Sequence, residues 1–213
     1  MAASGTCRVL PQVMIHGLRP VYSARMSDAD APRRPLIYTR TGDDGTTGLF
    51  YGGRVRKDDP APTAYGDVDE AQAVIGVARS MCADGDPHLD EILVEVGRHL
   101  YVLMAELATA PDNHHKLKPG ISLVSSEMVV ALENHIDEVA ALFVPPSEFV
   151  VPGGELGAAQ LDVARTVVRR AERHALVVAS AESHAVTYLN RLSDLLWTLA
   201  RWREGTSLPA RDD

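Results

Sequence analysis

The sequence predicts an all-α fold, an antiparallel bundle of five helices, and three observations carry that prediction. Five long segments repeat apolar residues at helical spacing, and none shows the two-residue alternation of a half-buried strand. Prolines, glycines and polar clusters fall between those segments, where connections belong. Aromatics make up only 5% of a chain that is 46% hydrophobic, which suits a core of Ala, Val and Leu packed helix on helix.

The first helix is expected over about Pro62–Met81, with Ala64, Val68, Ala71, Ile75 and Ala78 on one stripe. Asp67, Asp69 and Glu70 lie in its first half, where the helix dipole favours acids. The second helix starts after Asp86 as N-cap with Pro87 in the first turn, and Pro111 closes it. Its stripe is Leu89, Leu93, Val96, Leu100, Leu103 and Leu107. Residues 111–121 read as a polar loop holding His114 and His115. The third helix spans roughly 123–142 on Val124, Met128, Leu132, Ile136 and Val139, and Pro145 and Pro146 close it. An apolar extended segment, Phe149-Val150-Val151, stops at Pro152-Gly153-Gly154. The fourth helix follows over about 156–178, and the fifth runs from about His184 to Arg203 with Leu189, Leu192, Leu196 and Leu199 as its core stripe.

Length and charge bound the function. A chain of 213 residues is long enough for one sizeable core. The net charge of -8 argues against general binding to nucleic acid or anionic membrane, which needs a basic surface. Two cysteines, Cys7 and Cys82, form no CxxC pair, so a reducing compartment such as the cytoplasm is expected. No apolar run is long enough to span a bilayer. Residues 1–35 hold four prolines and no sustained period, and no acid precedes Asp28. They read as a disordered extension, or as a start assigned upstream of Met26, with an organelle-targeting presequence as the alternative. The main domain is expected over 36–205, with 206–213 as a tail.

Two stretches carry the candidate chemistry. On the fourth helix Arg165, Arg169 and Arg173 recur every four residues, with Arg170 beside them. Like charges at that spacing repel, so the stripe is either a solvated face or a clamp for polyphosphate, which suits the guanidinium fork. Glu172 is placed to brace Arg169. Residues 36–58 pack five glycines and four threonines into a short span, a composition rich in backbone donors and hydroxyls that cradles phosphates or simply makes a hairpin. Lys57 adds a mobile charge, and Asp43 or Asp44 stands within reach of a metal. It is not a Walker A loop, since no Gly-Lys-Ser/Thr follows. Asn190 and Asp194 form a polar pair close to Arg191 on the fifth helix. No Glu-x-x-His occurs on the helices, no Gly-x-Ser-x-Gly, and no Cys/His zinc spacing, which excludes ferritin-like di-metal chemistry and the common hydrolase and zinc signatures.

Taken in order, Tyr38 through Gly48, Lys57-Asp58-Asp59, Tyr65 through Glu70, Phe149 through Gly154, Ala164 through Arg173 and Tyr188 through Leu196 resemble the PduO-type corrinoid adenosyltransferases (ATP:cob(I)alamin adenosyltransferases). The resemblance covers about 36–203. It implies a five-helix bundle of ferritin-like topology class, assembled as a homotrimer with an active site at each subunit interface. It implies ATP, Mg²⁺ and cobalamin as ligands, and a reductase and a cobalamin-dependent acceptor enzyme as further partners. Nucleotide contacts would fall on Thr39, Arg40, Thr41, Gly42, Thr47, Gly48, Lys57, Arg169, Arg170, Glu172, Arg173 and Asn190. Asp69 would pair with Arg165 across the interface, and Phe149 would sit under the corrin ring. A non-enzymatic corrinoid carrier of the same fold, or an ATP-binding regulatory trimer, would share much of this pattern. The chain departs from the family at Gly48, where serine is common, at Asp44, where lysine is common, and at Ala71-Gln72-Ala73, which replaces Leu-Asn-Ser.

Overall fold

A computed structural model describes residues 37–82 and 86–211. The expectations for residues 1–35 lie outside the described residues. Within 40–213 the chain forms β1 (Thr46–Gly48), β2 (Arg54–Arg56), α1 (Pro60–Cys82), α2 (Pro87–Leu107), a 3-10 helix (Pro111–Lys116), α3 (Ser126–Ala140), β3 (Val150–Val151), α4 (Leu156–Val178), α5 (Ala185–Glu204) and β4 (Leu208–Pro209).

The predicted stripes are the core. Ala64, Val68, Ala71, Ile75 and Ala78 on α1, the leucines of α2 and Leu189, Leu192, Leu196 and Leu199 on α5 are all buried. Neighbouring helices run antiparallel, as their cross-helix bonds show. Arg79 meets Asp90 and Gln72 Nε2 donates to the Gly97 carbonyl at 2.8 Å, so α2 returns along α1. Asp67 meets Arg170 and His174 while a Cβ on Gly157 would lie 2.6 Å from Cys82 Sγ, so α4 opposes α1 along its whole length. Asn190 Nδ2 donates to Glu172 and Arg201 to Asp162, which runs α5 back along α4.

Side-chain caps set the starts of α2 and α4. The Asp86 carboxylate accepts from the His88 and Leu89 amides at 3.0 and 3.2 Å, as expected of an N-cap. The third helix starts later than the apolar period suggests. The Val124 amide donates to the buried Glu106 carboxylate at 2.7 Å, which holds residues before Ser126 in a non-helical turn. The same carboxylate accepts from Ser183 Oγ, so Glu106 ties two connections, α2–α3 and α4–α5, to the end of α2. Residues 111–116, expected as loop, instead form a 3-10 helix in which the His114 ring contacts the Thr109 carbonyl at 3.0 Å. Two short antiparallel strand pairs complete the described chain; the hairpin was one reading of the glycine- and threonine-rich stretch, whereas pairing of the 150–151 segment with the tail was not expected. β1 pairs with β2, and β3 pairs with β4 in the tail.

One polar cluster lies between α2, α3 and α5. Glu95 contacts His135 at 3.1 Å and His99 at 3.7 Å, and the His99 ring stands edge-on to buried Tyr188 with centroids 5.7 Å apart. Burial pushes the His99 imidazole below its ordinary value. Glu95 pulls it back and His135 adds to the depression. The folded protein therefore resists a proton that the unfolded chain accepts near pH 6.5. Stability present at neutral pH should fall as pH drops below about 6.5, by at most about 1.4 kcal/mol per pH unit from this group, and level off below the folded-state value. Urea midpoints at several pH values should show a shallower decline in His99→Gln; an unchanged slope would take the effect away from His99.

Candidate active site

The glycine- and threonine-rich segment is a hairpin whose base carries Lys57. Thr46 pairs with Arg56, Thr47 with Val55 and Gly48 with Arg54. The tip docks on the end of α2, where the Phe50 amide donates to the Ala108 carbonyl at 2.9 Å. At the base, Asp44 Oδ1 accepts from the Thr46 amide at 2.9 Å and hydroxyl at 2.7 Å. The Thr46 hydroxyl bond holds the Asp44 carboxyl below the usual carboxylate range, with the amide bond and Arg54 acting in the same sense. Arg54 Nη2 donates to the Thr41 carbonyl at 2.5 Å and to Thr46 Oγ1 at 2.6 Å. Arg54 therefore clamps the turn from outside, a role that sequence reading missed.

Lys57 comes back over the turn. A Cβ on Gly42 would lie 3.2 Å from Lys57 Nζ and 3.0 Å from the Thr46 carbonyl oxygen, so glycine is what lets the ammonium approach the backbone. The Lys57 amide donates to the Gly45 carbonyl at 2.9 Å. Arg40 opens the segment at φ 59°, a conformation uncommon outside glycine and often seen where function constrains the backbone. Thr39 belongs to the separate unit of residues 1–39 and is exposed. Gly42, Thr47, Gly48 and Lys57 thus share one hairpin with Arg40 and Thr41.

Among the arginines of α4 the structure makes a distinction that spacing could not. Arg170 turns inward to Asp67 and Glu70 of α1, and His174 Nδ1 lies 2.5 Å from Asp67. Arg165 pairs with Asp162 at 3.4 Å. Arg169 and Arg173 point outward, and no ion pair among the described residues neutralises either. The Arg173 Nη1 donates to the Arg169 carbonyl at 2.9 Å. Glu172 accepts from Asn190 at 3.1 Å rather than bracing Arg169, and Arg191 spans Asn190, Asp194 and Glu133. Asp69 is exposed on α1.

The hairpin and the arginine helix approach the same end of the α1–α4 pair. Asp58, Pro60, Thr63, His174 and Val177 line one cleft of about 250 Å³. At the opposite end of α4 a cavity of about 350 Å³ is lined by Phe149, Pro152, Asp162, Arg165, Trp197 and Arg201 among others. Phe149 is 92% exposed, so it is a presented ring and not a core residue. The Ala210 amide donates to its carbonyl at 2.7 Å, which fixes the backbone that carries it.

The family model for cobalamin adenosyltransferase matches residues 37–203, nearly the whole described chain. The chain belongs to the cobalamin adenosyltransferase family. A corrinoid adenosyltransferase of Citrobacter freundii is 43% identical over 173 residues, covering 80% of this chain and 96% of the relative. One from Bos taurus is 35% identical over 196 residues, 90% of this chain and 79% of the relative. Among solved structures, a variant PduO-type ATP:corrinoid adenosyltransferase from Lactobacillus reuteri, complexed with cobalamin and ATP, superposes with a TM-score of 0.74 at 31% identity. That match covers 83% of this chain and all of the other. An arginine-to-lysine variant of the same enzyme complexed with ATP gives 0.71 at 31% identity, over 82% of this chain. Membership makes the chain a transferase, and no described helix is long and apolar enough to cross a membrane.

Proposed function

We propose that the chain transfers the 5′-deoxyadenosyl group of ATP to the cobalt of reduced cob(I)alamin, releasing triphosphate and forming adenosylcobalamin, at sites shared between subunits of a homotrimer. The observation that carries this reading is the pair of outward guanidiniums, Arg169 and Arg173, that no carboxylate among the described residues neutralises, in a chain of net charge -8. Such a pair awaits an anion. The phenylalanine and the arginine substituted in the two L. reuteri structures lie twenty residues apart in that chain, as Phe149 and Arg169 do here. That spacing supports Phe149 beside the corrin and Arg169 at the phosphates.

Exposed apolar side chains support the assembly. Leu156, Val163, Leu176 and Val177 are exposed on α4, as are Val77 and Met81 on α1. An apolar surface interrupted by unpaired charge suits burial against another subunit. Asp69 on α1 then has Arg165 of a neighbour as its natural partner. A cavity of about 350 Å³ is at the small end for a ligand site, and a second subunit supplies the missing wall.

Cobalt(I) is itself the nucleophile. It attacks C5′, the C5′–O bond breaks, and triphosphate departs with the bonding electrons. The protein need only align cobalt with C5′ and stabilise the leaving anion. Arg169, Arg173, Lys57 and the hairpin amides are suited to the second task; Arg40, Thr41, Gly42, Thr47, Gly48, Arg170, Glu172 and Asn190 shape the nucleotide site around them. No described cluster of His, Cys, Asp or Glu forms a metal cage, and Asp44 is already committed to Thr46. The residues fit Mg²⁺ only as an ion carried in on the phosphates, with Asp43 as the free carboxylate nearby. When bound it would neutralise phosphate charge. A reductase supplies cobalt(I), and a cobalamin-dependent enzyme takes the product.

Incubation with ATP and cob(I)alamin should yield adenosylcobalamin and triphosphate in equal amounts. Binding of both without a cobalt–carbon bond would favour the carrier reading, which family membership weighs against. Co-expression tests the shared site. Lys57→Ala and Arg169→Ala subunits, each nearly inactive alone, should regain about a quarter of wild-type activity when mixed in equal amounts in a trimer. No regain would put loop and arginine in one chain.

A further inference from the structure

Beneath the Phe149 cavity lies a row of buried charges that the transfer reaction does not require. Arg201 is 1% exposed, and its Nη2 donates to Asp162 Oδ2 at 2.5 Å. Its Nε lies 3.4 Å from Glu204 Oε2, whose side chain is 2% exposed. Asp162 Oδ1 reaches Arg165 Nε at 3.4 Å. The signs alternate, Glu204, Arg201, Asp162, Arg165, and Arg201, Asp162 and Arg165 all line the cavity, Arg165 being the most exposed of the three.

The other end of the row holds the segment that presents Phe149. Glu204 Oε1 accepts from the Gly154 amide at 2.9 Å, and Oε2 from Ser207 Oγ at 3.3 Å. Gly154 follows β3, and Ser207 precedes β4, the strand that pairs with β3. One carboxylate thus ties down both strands of the strap behind Phe149. A Cβ at Gly154 would stand 2.6 Å from Glu204 Oε1, so the close approach needs glycine.

We propose that Asp162, Arg201 and Glu204 are positioning residues for the corrin site, a buried relay that fixes the Phe149 strap and Arg165 relative to each other. This rests on the proposed place of Phe149 beside the corrin; Arg165 lines the same cavity. Buried ion pairs are weak stabilisers, since apolar residues of similar volume often serve stability equally well. What apolar residues do not do is hold a guanidinium at a set angle beside a ring. With the relay intact, the phenyl face and Arg165 keep one spacing whether the cavity is filled or empty. With it broken, both remain but drift independently, and misplacement by about 1 Å is costly in rate.

The test uses Asp162→Asn and, because that change leaves Arg201 under-neutralised, a second variant combining Asp162→Leu, Arg201→Met and Glu204→Gln. The second removes the charges while Gln keeps an acceptor for the Gly154 amide. Both are measured for Tm, for KM of ATP and of cob(I)alamin, and for the EPR nitrogen splitting of bound cob(II)alamin, which reports whether the lower axial nitrogen has left cobalt. The combined variant should keep its Tm. Both should raise KM for the corrinoid by about tenfold with KM for ATP within about twofold, and retain more axial nitrogen on cobalt. If corrinoid KM and the EPR signal stay unchanged in both variants while Phe149→Ala alters them, the relay is structural only and the proposal is wrong. If Phe149→Ala also leaves them unchanged, the corrin-site assignment fails and the proposal with it. Should the combined variant unfold, Asp162→Asn decides.

Discussion

Arg169→Ala should lower the rate of adenosyl transfer by about 10²–10³-fold, a loss of roughly 3–4 kcal/mol of transition-state stabilisation. As C5′ moves from oxygen to cobalt, the triphosphate gains charge, and a guanidinium aimed at it interacts more strongly with the transition state than with bound ATP. The loss should therefore appear mainly in kcat. The fold should be indifferent, because Arg169 is exposed and no described ion pair engages it; its Tm should stay near wild type. Arg170→Ala is the contrasting case. That guanidinium is held by Glu70 and Asp67 and its own charge is strengthened by the Glu70 bond, so its loss should cost stability as well as rate. Arg169→Lys separates charge from shape, since lysine keeps the cation and loses the fork. Steady-state kinetics with pre-reduced cobalamin, alongside thermal melts, reads all three. Wild-type turnover in Arg169→Ala would remove the clamp from this helix.

That contrast shows how far the sequence reaches. Helix α4 is found where periodicity puts it, over Leu156–Val178, because its buried positions and its arginines follow one 3.6-residue period. The period assigns faces, but it cannot say which arginine meets a carboxylate on another helix. Arg170 and Arg169 are adjacent in sequence and opposite in environment because Asp67 and Glu70 lie on α1, about a hundred residues away. The late start of α3 was hidden for the same reason: its cause, Glu106, is on another helix. The strand pair β3–β4 involves only two residues from each side, too few for alternation to register. Arg54 and Arg201 were equally invisible as organisers. One signal for Arg201 did exist, a cation among the apolar residues of α5 with Glu204 three residues on. For Phe149 the isolated sequence showed only an apolar extended segment, and only the resemblance placed it in a site. The exposed ring agrees with a presented side chain, because nothing in the chain's own core covers it.

Phe149→Ala should separate the two starting states of cobalt. With pre-reduced cob(I)alamin the variant should turn over at a rate near wild type, since the nucleophile is already made. Starting from cob(II)alamin and a mild reductant, the rate should fall by roughly ten- to a hundredfold. In the proposed site the phenyl ring, which cannot ligate cobalt, would keep water and the axial nitrogen from its lower face. Removing that ring lets a ligand return, which stabilises cobalt(II) and lowers the reduction potential; for a one-electron couple each 59 mV is about a tenfold change in the reduced fraction. ATP binding should be unaffected, because the nucleotide hairpin and Arg169 lie apart from the strap that carries the ring. Stability should change little, because a side chain 92% exposed contributes few core contacts. The ratio of the two rates, cob(I) start over cob(II) start, is thus the diagnostic quantity: it should rise in Phe149→Ala and stay constant in Arg169→Ala, where the leaving group suffers whatever the cobalt's history. Equal losses from both starts would make Phe149 a contact for alignment alone, and no loss from either would take it out of the site.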